Sequence, residues 1–321
     1  MTTEKMDKNC ENINAELFRF VKFDELAGER AGYSNYSYWH STWRVFTKDR
    51  IAMLFLCLLF ALLSFTFVQP FLPGQKDAIK IYNDEMGRQL RNIPPGTEFW
   101  LGTNSIGQDL WARIWSGTRT SMIIGMAVAL ANAVIGVLLG AMWGYVRRLE
   151  RLITEIYNVF ENIPDTIILI LVAYMLRPGI GTIIFTMCLT GWMPTARYVR
   201  NMIIIIRDRE FNLASRCLGT PTTRIITRNL LPQLVSVIMM RASLAITMAI
   251  GYEVFLTYIG LGLPVSIPSL GNLVNEGRVV MMSPSLRYQL IYPALILSLI
   301  TISFYVIGNS FADASDPKNH L

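Results

Sequence analysis

The chain has 321 residues, 52% of them hydrophobic and 16% charged, with a mean hydropathy of +0.38. That is too apolar for an ordinary soluble domain and reads as an all-α polytopic membrane protein. The net charge of +6 comes with no aromatic-basic module and no zinc-ligand spacing, so nucleic acid is excluded as a partner.

Residues 1–50 form a charged, aromatic arm, with an amphipathic stretch expected along the membrane face near Trp39 to Lys48 and a disordered extreme N-terminus. The first apolar run starts only after this arm, so it reads as a retained span over 51–72 and not as a cleaved signal. Residues 73–119 follow as an external segment punctuated by Pro73-Gly74 and Pro94-Pro95-Gly96. Within it, DLWARIWSG places Trp111 and Trp115 at i and i+4, which suits a short helix in the outer interface with the tryptophans anchoring the membrane edge. A five-helix core is expected over 120–312, and a short tail over 313–321. With the first span this makes six transmembrane helices, near 51–72, 120–145, 156–176, 180–200, 232–259 and 288–311, each close to the ~20 residues a crossing needs. The third is the weakest, because only Thr166 to Leu176 is strongly apolar.

Of the 29 lysines and arginines, nineteen fall in segments on the side of the N-terminus and nine on the other, Arg241 lying within a span. That bias puts both termini in the cytoplasm of a multi-pass protein of the cell membrane. The cysteines, Cys10, Cys57, Cys188 and Cys217, form no CxxC pair, so neither a disulfide nor a metal site is expected. His40 and His320 lie outside the spans with no nucleophile beside them, which leaves no chemistry for an enzyme. No GxxxxGK[ST] sequence occurs, so ATP and its Mg²⁺ have no cradle on this chain.

Polar residues inside spans are costly and face protein or water. Asn158, Glu161, Asn162 and Asp165 recur at i, i+3, i+4 and i+7, one wet stripe that either lines a translocation path or is the solvated end of a helix; Pro164 bends the helix within it. Arg241 and Glu253, twelve residues apart on the fifth span, are separated by about 18 Å and cannot pair. Asn132 serves equally as interhelical glue or pore lining. Together Asn132, Asn158, Glu161, Asp165, Arg241 and Glu253 are the candidate path residues. Gly136, Gly140 and Gly144, at i and i+4, form a seam for close helix approach, expected against a second membrane subunit.

Between the fourth and fifth spans lies a basic island, RDREFNLASRCLGTPTTRIITRNLLP at 207–232, within a polar loop over 201–231. Glu210 complements the start of one short helix and Gly219 stops it in a left-handed conformation. Thr220 and Pro221 are expected to open a second helix that runs to Leu231 before Pro232. Leu213, Ala214, Cys217 and Leu218 give the first helix a small apolar face, while Arg209, Asn212 and Arg216 point elsewhere. Such a helix presents a knob to a groove in a protein partner.

With Glu210, Ala214, Ser215, Gly219, Leu231 and Pro232 in register, the island resembles the Glu-Ala-Ala coupling loop of ABC importer permeases in its longer peptide-permease form. Asn229 stands at the family's isoleucine and Ser215 at its second alanine. LGTNSIGQDLWARIWSGTRTS is similar to the segment before the second span in dipeptide and oligopeptide permeases, with Asn104 and Gln108 replacing Asp and Arg. Glu253, Leu256, Gly260, Leu261, Gly262, Pro268, Ser269, Gly271 and Asn272 match a second family segment. FRFVKFDEL and the ending FADASDP extend the likeness over nearly the whole chain.

The resemblance implies the type I importer permease fold and half of an oligopeptide translocation pathway. It implies as partners a homologous permease subunit, two ABC ATPase subunits, an extracellular peptide-binding lipoprotein, the peptide substrate and membrane lipid. Glu210, Leu213, Ala214, Ser215, Arg216, Gly219, Leu231 and Pro232 are then the residues that couple to the ATPases. Dipeptides or nickel as the cargo, or an ion-driven secondary transporter, are the alternatives.

Overall fold

In lipid every backbone N–H and C=O must be satisfied within the chain, and continuous helix is the simplest way to do so. The computed structural model describes residues 38–315, and these are mainly helix with long apolar runs and no named strand. The arm before residue 38 and the tail after 315, including FRFVKFDEL, Cys10, His320 and the end of FADASDP, lie outside the described residues. The chain divides into a small unit, Met1–Ser41, and a large one, Thr42–Leu321, which carries all the spans.

Helix α1, Tyr38–Phe46, falls where the amphipathic stretch is expected; Trp43 is exposed while Phe46 is buried against Ala52 and Ala314. Asp49 caps α2, Arg50–Val68, by accepting from the amides of Ile51 and Ala52. Its second carboxylate oxygen accepts from Ser310 Oγ at 2.6 Å. A 3-10 turn, Gln69–Phe71, completes this first span.

Helix α3 runs from Leu110 to Tyr145, 36 residues. The short interfacial helix expected at DLWARIWSG is instead its first turns, because Asp109 caps the helix there and nothing interrupts it before Tyr145. At about 54 Å this rod is longer than the ~30 Å hydrocarbon core, so one end stands clear of the membrane. Trp111 and Trp115 pack edge-on against Phe65 at 5.8 and 4.7 Å between ring centres. Trp111 also donates to Gln75 Oε1 at 3.0 Å, so these rings join α3 to the first span and its following loop.

The expected third span is two helices, α4 (Arg147–Glu161) and α5 (Asp165–Met175), bent by 81°. Pro164 cannot donate a helical hydrogen bond and disfavours helix in the residue before it, so α4 stops at Glu161. The expected fourth span is likewise divided at Gly191-Trp192 into α6 (Ile180–Thr190) and α7 (Met193–Arg207), each too short to cross alone. Among the described residues four helices are long and apolar enough to span, or five if the bent α4–α5 pair counts as one. Six spans were expected from the sequence; four or five of the described helices meet that length and apolarity.

The island holds α8 (Glu210–Cys217) and α9 (Thr222–Arg224). From α9 the chain passes without a stop through a π turn, Ile225–Leu230, and a 3-10 turn, Leu231–Leu234, into α10, Val235–Tyr258. The second island helix therefore does not end before Pro232 but is the root of a 37-residue rod, Thr222–Tyr258. Two further helices follow, α11 (Leu270–Val280) and α12 (Tyr288–Ala314).

Helix α3 is the central member, packed on α7 and α10, with α10 on α12 and α12 on α2. Its glycine seam faces α7 of the same chain, not a second subunit as the sequence suggests. A Cβ on Gly140 would stand 2.5 Å from the Ala196 carbonyl oxygen, and one on Gly144 2.9 Å from that of Arg200. Lipid is as apolar as a leucine side chain, so such close packing, and not water exclusion, holds these helices together. In the apolar window of α12 only 17% of residues are buried, which leaves most of that helix for lipid or another chain.

Candidate functional site

The island is a small helix on a rigid mount. Gly219, at φ +75°, ends α8 in the left-handed region as expected, whereas Pro221 and not Thr220 caps the next helix. Arg216 points back to the bundle: its Nε donates to Tyr145 Oη at 3.1 Å and an Nη to the Arg207 carbonyl at 3.1 Å. Arg207 in turn donates to the Gly144 carbonyl at 2.6 Å. Asn212, fully buried, donates to the Ile206 carbonyl at 2.8 Å.

Both departures from the family pattern meet here. Asn229 Nδ2 donates to Ser215 Oγ at 3.2 Å and to Asn212 Oδ1 at 3.3 Å, so a polar cluster ties α8 to the π turn. An isoleucine facing an alanine could make only an apolar contact there. Beneath the cluster Ile225 and Leu230 are buried with Val199 and Ile203. Leu231 joins this cluster as a partly buried neighbour, and Pro232 sits beside it in the 3-10 turn.

What the mount presents is apolar. Phe211 is 43%, Leu213 44% and Leu218 85% exposed, with Ala214 and Cys217 exposed between them and Glu210 exposed in the first turn. Apolar side chains held out on a short, tied helix are what a docking knob requires.

The six candidate path residues separate into three groups. Asn132, Asp165 and Arg241 line one cavity of about 230 Å³ between α3, α5, α6, α7 and α10. Asn158 and Glu161 do not: Asn158 is exposed on α4, and Glu161 pairs with Arg197 and accepts from Tyr157 Oη at 2.9 Å. The expected stripe is thus broken, because the 81° bend after Glu161 carries Asp165 onto a different axis. Glu253 is also away from the cavity. Fully buried, it accepts from Ser121 Oγ at 2.9 Å and Ser269 Oγ at 2.7 Å, tying α3 and α10 to the start of α11.

Sequence reasoning missed a second charged cluster. Arg113, fully buried, donates to Glu276 Oε1 at 2.6 Å and to Gln108 Oε1. Asn104 Nδ2 donates to Glu276 Oε2 at 3.2 Å and to Gln108 Oε1 at 3.1 Å. Burial holds the Glu276 carboxyl above its usual range, against the pull of the Arg113 charge and the hydrogen bonds from Asn104 and Arg113. The paired departures Asn104 and Gln108 were the available signal, since both lie in this cluster.

Apolar rods, a protruding knob tied to the rods by arginine and asparagine, and between the rods a largely apolar cavity with Asn132, Asp165 and Arg241 in its wall fit a multi-pass membrane transport subunit. Residues 134–320 match the model of the binding-protein-dependent transport system inner membrane component, and residues 37–95 that of the N-terminal TM domain of oligopeptide transport permease C. The chain is 38% identical to the oligopeptide transport system permease protein AmiD of Streptococcus pneumoniae, over 96% of this chain and 99% of that one. It is 34% identical to the dipeptide transport system permease protein DppC of Bacillus subtilis, over 99% and 97%. A solved chain of the MetNI methionine ABC transporter in an inward-facing conformation shares the fold, with a TM-score of 0.50 and 20% identity over 63% of this chain and 96% of that one. The chain belongs to the family of binding-protein-dependent transport system inner membrane components.

Proposed function

We propose that the chain is one of two membrane subunits of an ATP-binding-cassette importer for oligopeptides, and that its island is the coupling element. The full-length similarity to an oligopeptide permease supports the substrate class. The single structural observation that carries the coupling role is the exposed apolar face of α8, from Phe211 to Leu218, mounted on the ends of α3 and α7. With no phosphate-binding loop of its own, the chain takes its energy from two ATPase subunits that hold ATP and Mg²⁺ and grip this knob from the cytoplasm. A homologous permease completes the pathway, and an extracellular binding lipoprotein delivers the peptide. Closure of the ATPases draws the two knobs together and rocks the rods between two states of access.

The similarity to a dipeptide permease makes dipeptides the second reading. Uptake of a labelled pentapeptide in competition with a longer peptide, a dipeptide and nickel separates these cargoes. The coupling role is tested with Gly219→Pro, which cannot adopt φ +75°, and with Glu210→Lys. Both variants should reach the membrane yet lose peptide uptake and co-purification of the ATPases. Normal uptake with ATPases still bound would refute it.

A further inference from the structure

The cavity between α3, α5, α6, α7 and α10 carries charges that the helical packing leaves unused. On α10, Arg241, Ala245, Met248 and Tyr252 fall at i, i+4, i+7 and i+11, one continuous wall. Arg241 stacks on Tyr198 at 4.4 Å from the ring centre and makes no ion pair among the described residues. Its Nε is buried with no hydrogen-bond partner among them. Asn132 is 4% exposed and its Oδ1 is likewise unpartnered. Gly191 lies so close that a Cβ there would collide with the Asn132 amide, so the backbone makes room for this side chain. Asp165 opens α5 on the same cavity, and no ion pair joins it to Arg241.

A cation and an anion that share one cavity without pairing are unusual, because each is costly in a membrane interior and mutual neutralisation is the cheapest relief. The eleven residues from Arg241 to Tyr252 span roughly 16 Å of helix. A short ligand with opposite charges at its two ends satisfies both.

We propose that this cavity is a transient binding site for a short extended peptide, with Arg241 receiving the α-carboxylate, Asp165 the α-ammonium, and Asn132 Oδ1 accepting a main-chain N–H between them. The proposal rests on the peptide-permease reading. The planar guanidinium presents two parallel donors to a carboxylate, which an amide cannot accept in the same way. Side chains play no part in the recognition, so the site is tolerant of sequence and selective for free termini.

The test uses the complete importer reconstituted in liposomes with its binding protein, and compares uptake of a pentapeptide with its C-amidated and N-acetylated forms. Permease substitutions leave the binding protein untouched, so a change in these ratios reads the membrane site alone. Arg241→Gln should lower the preference for free carboxylate over amide by about tenfold, the scale of one charged hydrogen bond, and spare the preference for free amine. Asp165→Asn should do the reverse, and Arg241→Lys should keep most of the carboxylate preference. Unchanged ratios in Asp165→Asn and Arg241→Gln would overturn the proposal. If Arg241→Gln fails to assemble, an unchanged amine preference in Asp165→Asn overturns it alone. A wild-type complex that hydrolyses ATP but imports none of the peptides would instead overturn the peptide-permease reading.

Discussion

At the residue scale, the departures from the family pattern are coupled substitutions. Asn104 keeps the turn-forming role that an aspartate would have, its Oδ1 accepting from the amides of Ile106 and Gln108 at 3.2 and 2.8 Å. Its Nδ2, which an aspartate lacks, donates to Glu276. An arginine at 108 would in turn bring a second cation against Arg113, so exchanging both Asp and Arg removes one charge of each sign. Asn104→Asp therefore preserves the turn but sets two carboxylates together. Burial already raises the Glu276 pKa, so the native state holds its proton more tightly than the unfolded chain, and stability falls as pH rises above the ordinary glutamate range. A second carboxylate steepens that fall. Thermal unfolding of the purified variant should show a lower midpoint than wild type at pH 8, with the gap closing toward pH 5. A gap independent of pH would exclude this electrostatic origin.

At the element scale, the long apolar runs and the island's stop at Gly219 were legible in the sequence, since both depend on local composition and one backbone conformation. Pro164 was legible as a bend but not as the end of a helix, and the break at Gly191 was not read at all, because apolar residues flank it on both sides. The cavity trio of Asn132, Asp165 and Arg241 was legible as polar residues in apolar surroundings, but its separation from Glu161 and Glu253 depends on tertiary partners. The glycine seam was legible as a seam while its partner was not, for spacing shows which face is smooth and not which helix lies on it. Gly140→Leu should force α3 from α7, at the cost of about 1–3 kcal/mol typical of overpacking. A lower unfolding temperature in detergent, with the other permease subunit absent, would show the contact to be within this chain; an effect only in the assembled pair would contradict it.

At the scale of the whole molecule, the island and the Arg113–Glu276 cluster mark opposite ends of α3, the first at Gly144 and Tyr145 and the second at Arg113. We propose, from the basic bias, that the island end lies in the cytoplasm. Cys217 is exposed on α8 and reports on that assignment. In a Cys10→Ser background, a membrane-impermeant maleimide should label Cys217 in inverted vesicles and spare it in intact cells. Labelling from the outside of intact cells would reverse the topology and remove the island from the reach of any cytoplasmic ATPase.

The π turn at Ile225–Leu230 sits at the root of the rod whose far half walls the cavity. A π turn holds one residue more than the α-helical ladder needs. Were that surplus residue passed along the helix beyond Tyr252, every residue it passed would change phase by about 100°, one residue's share of a 3.6-residue turn. Arg241 and Tyr252 would then swing together out of the cavity wall. A shift of one residue at the root of the rod is thus geometrically enough to withdraw both wall residues from the cavity at once.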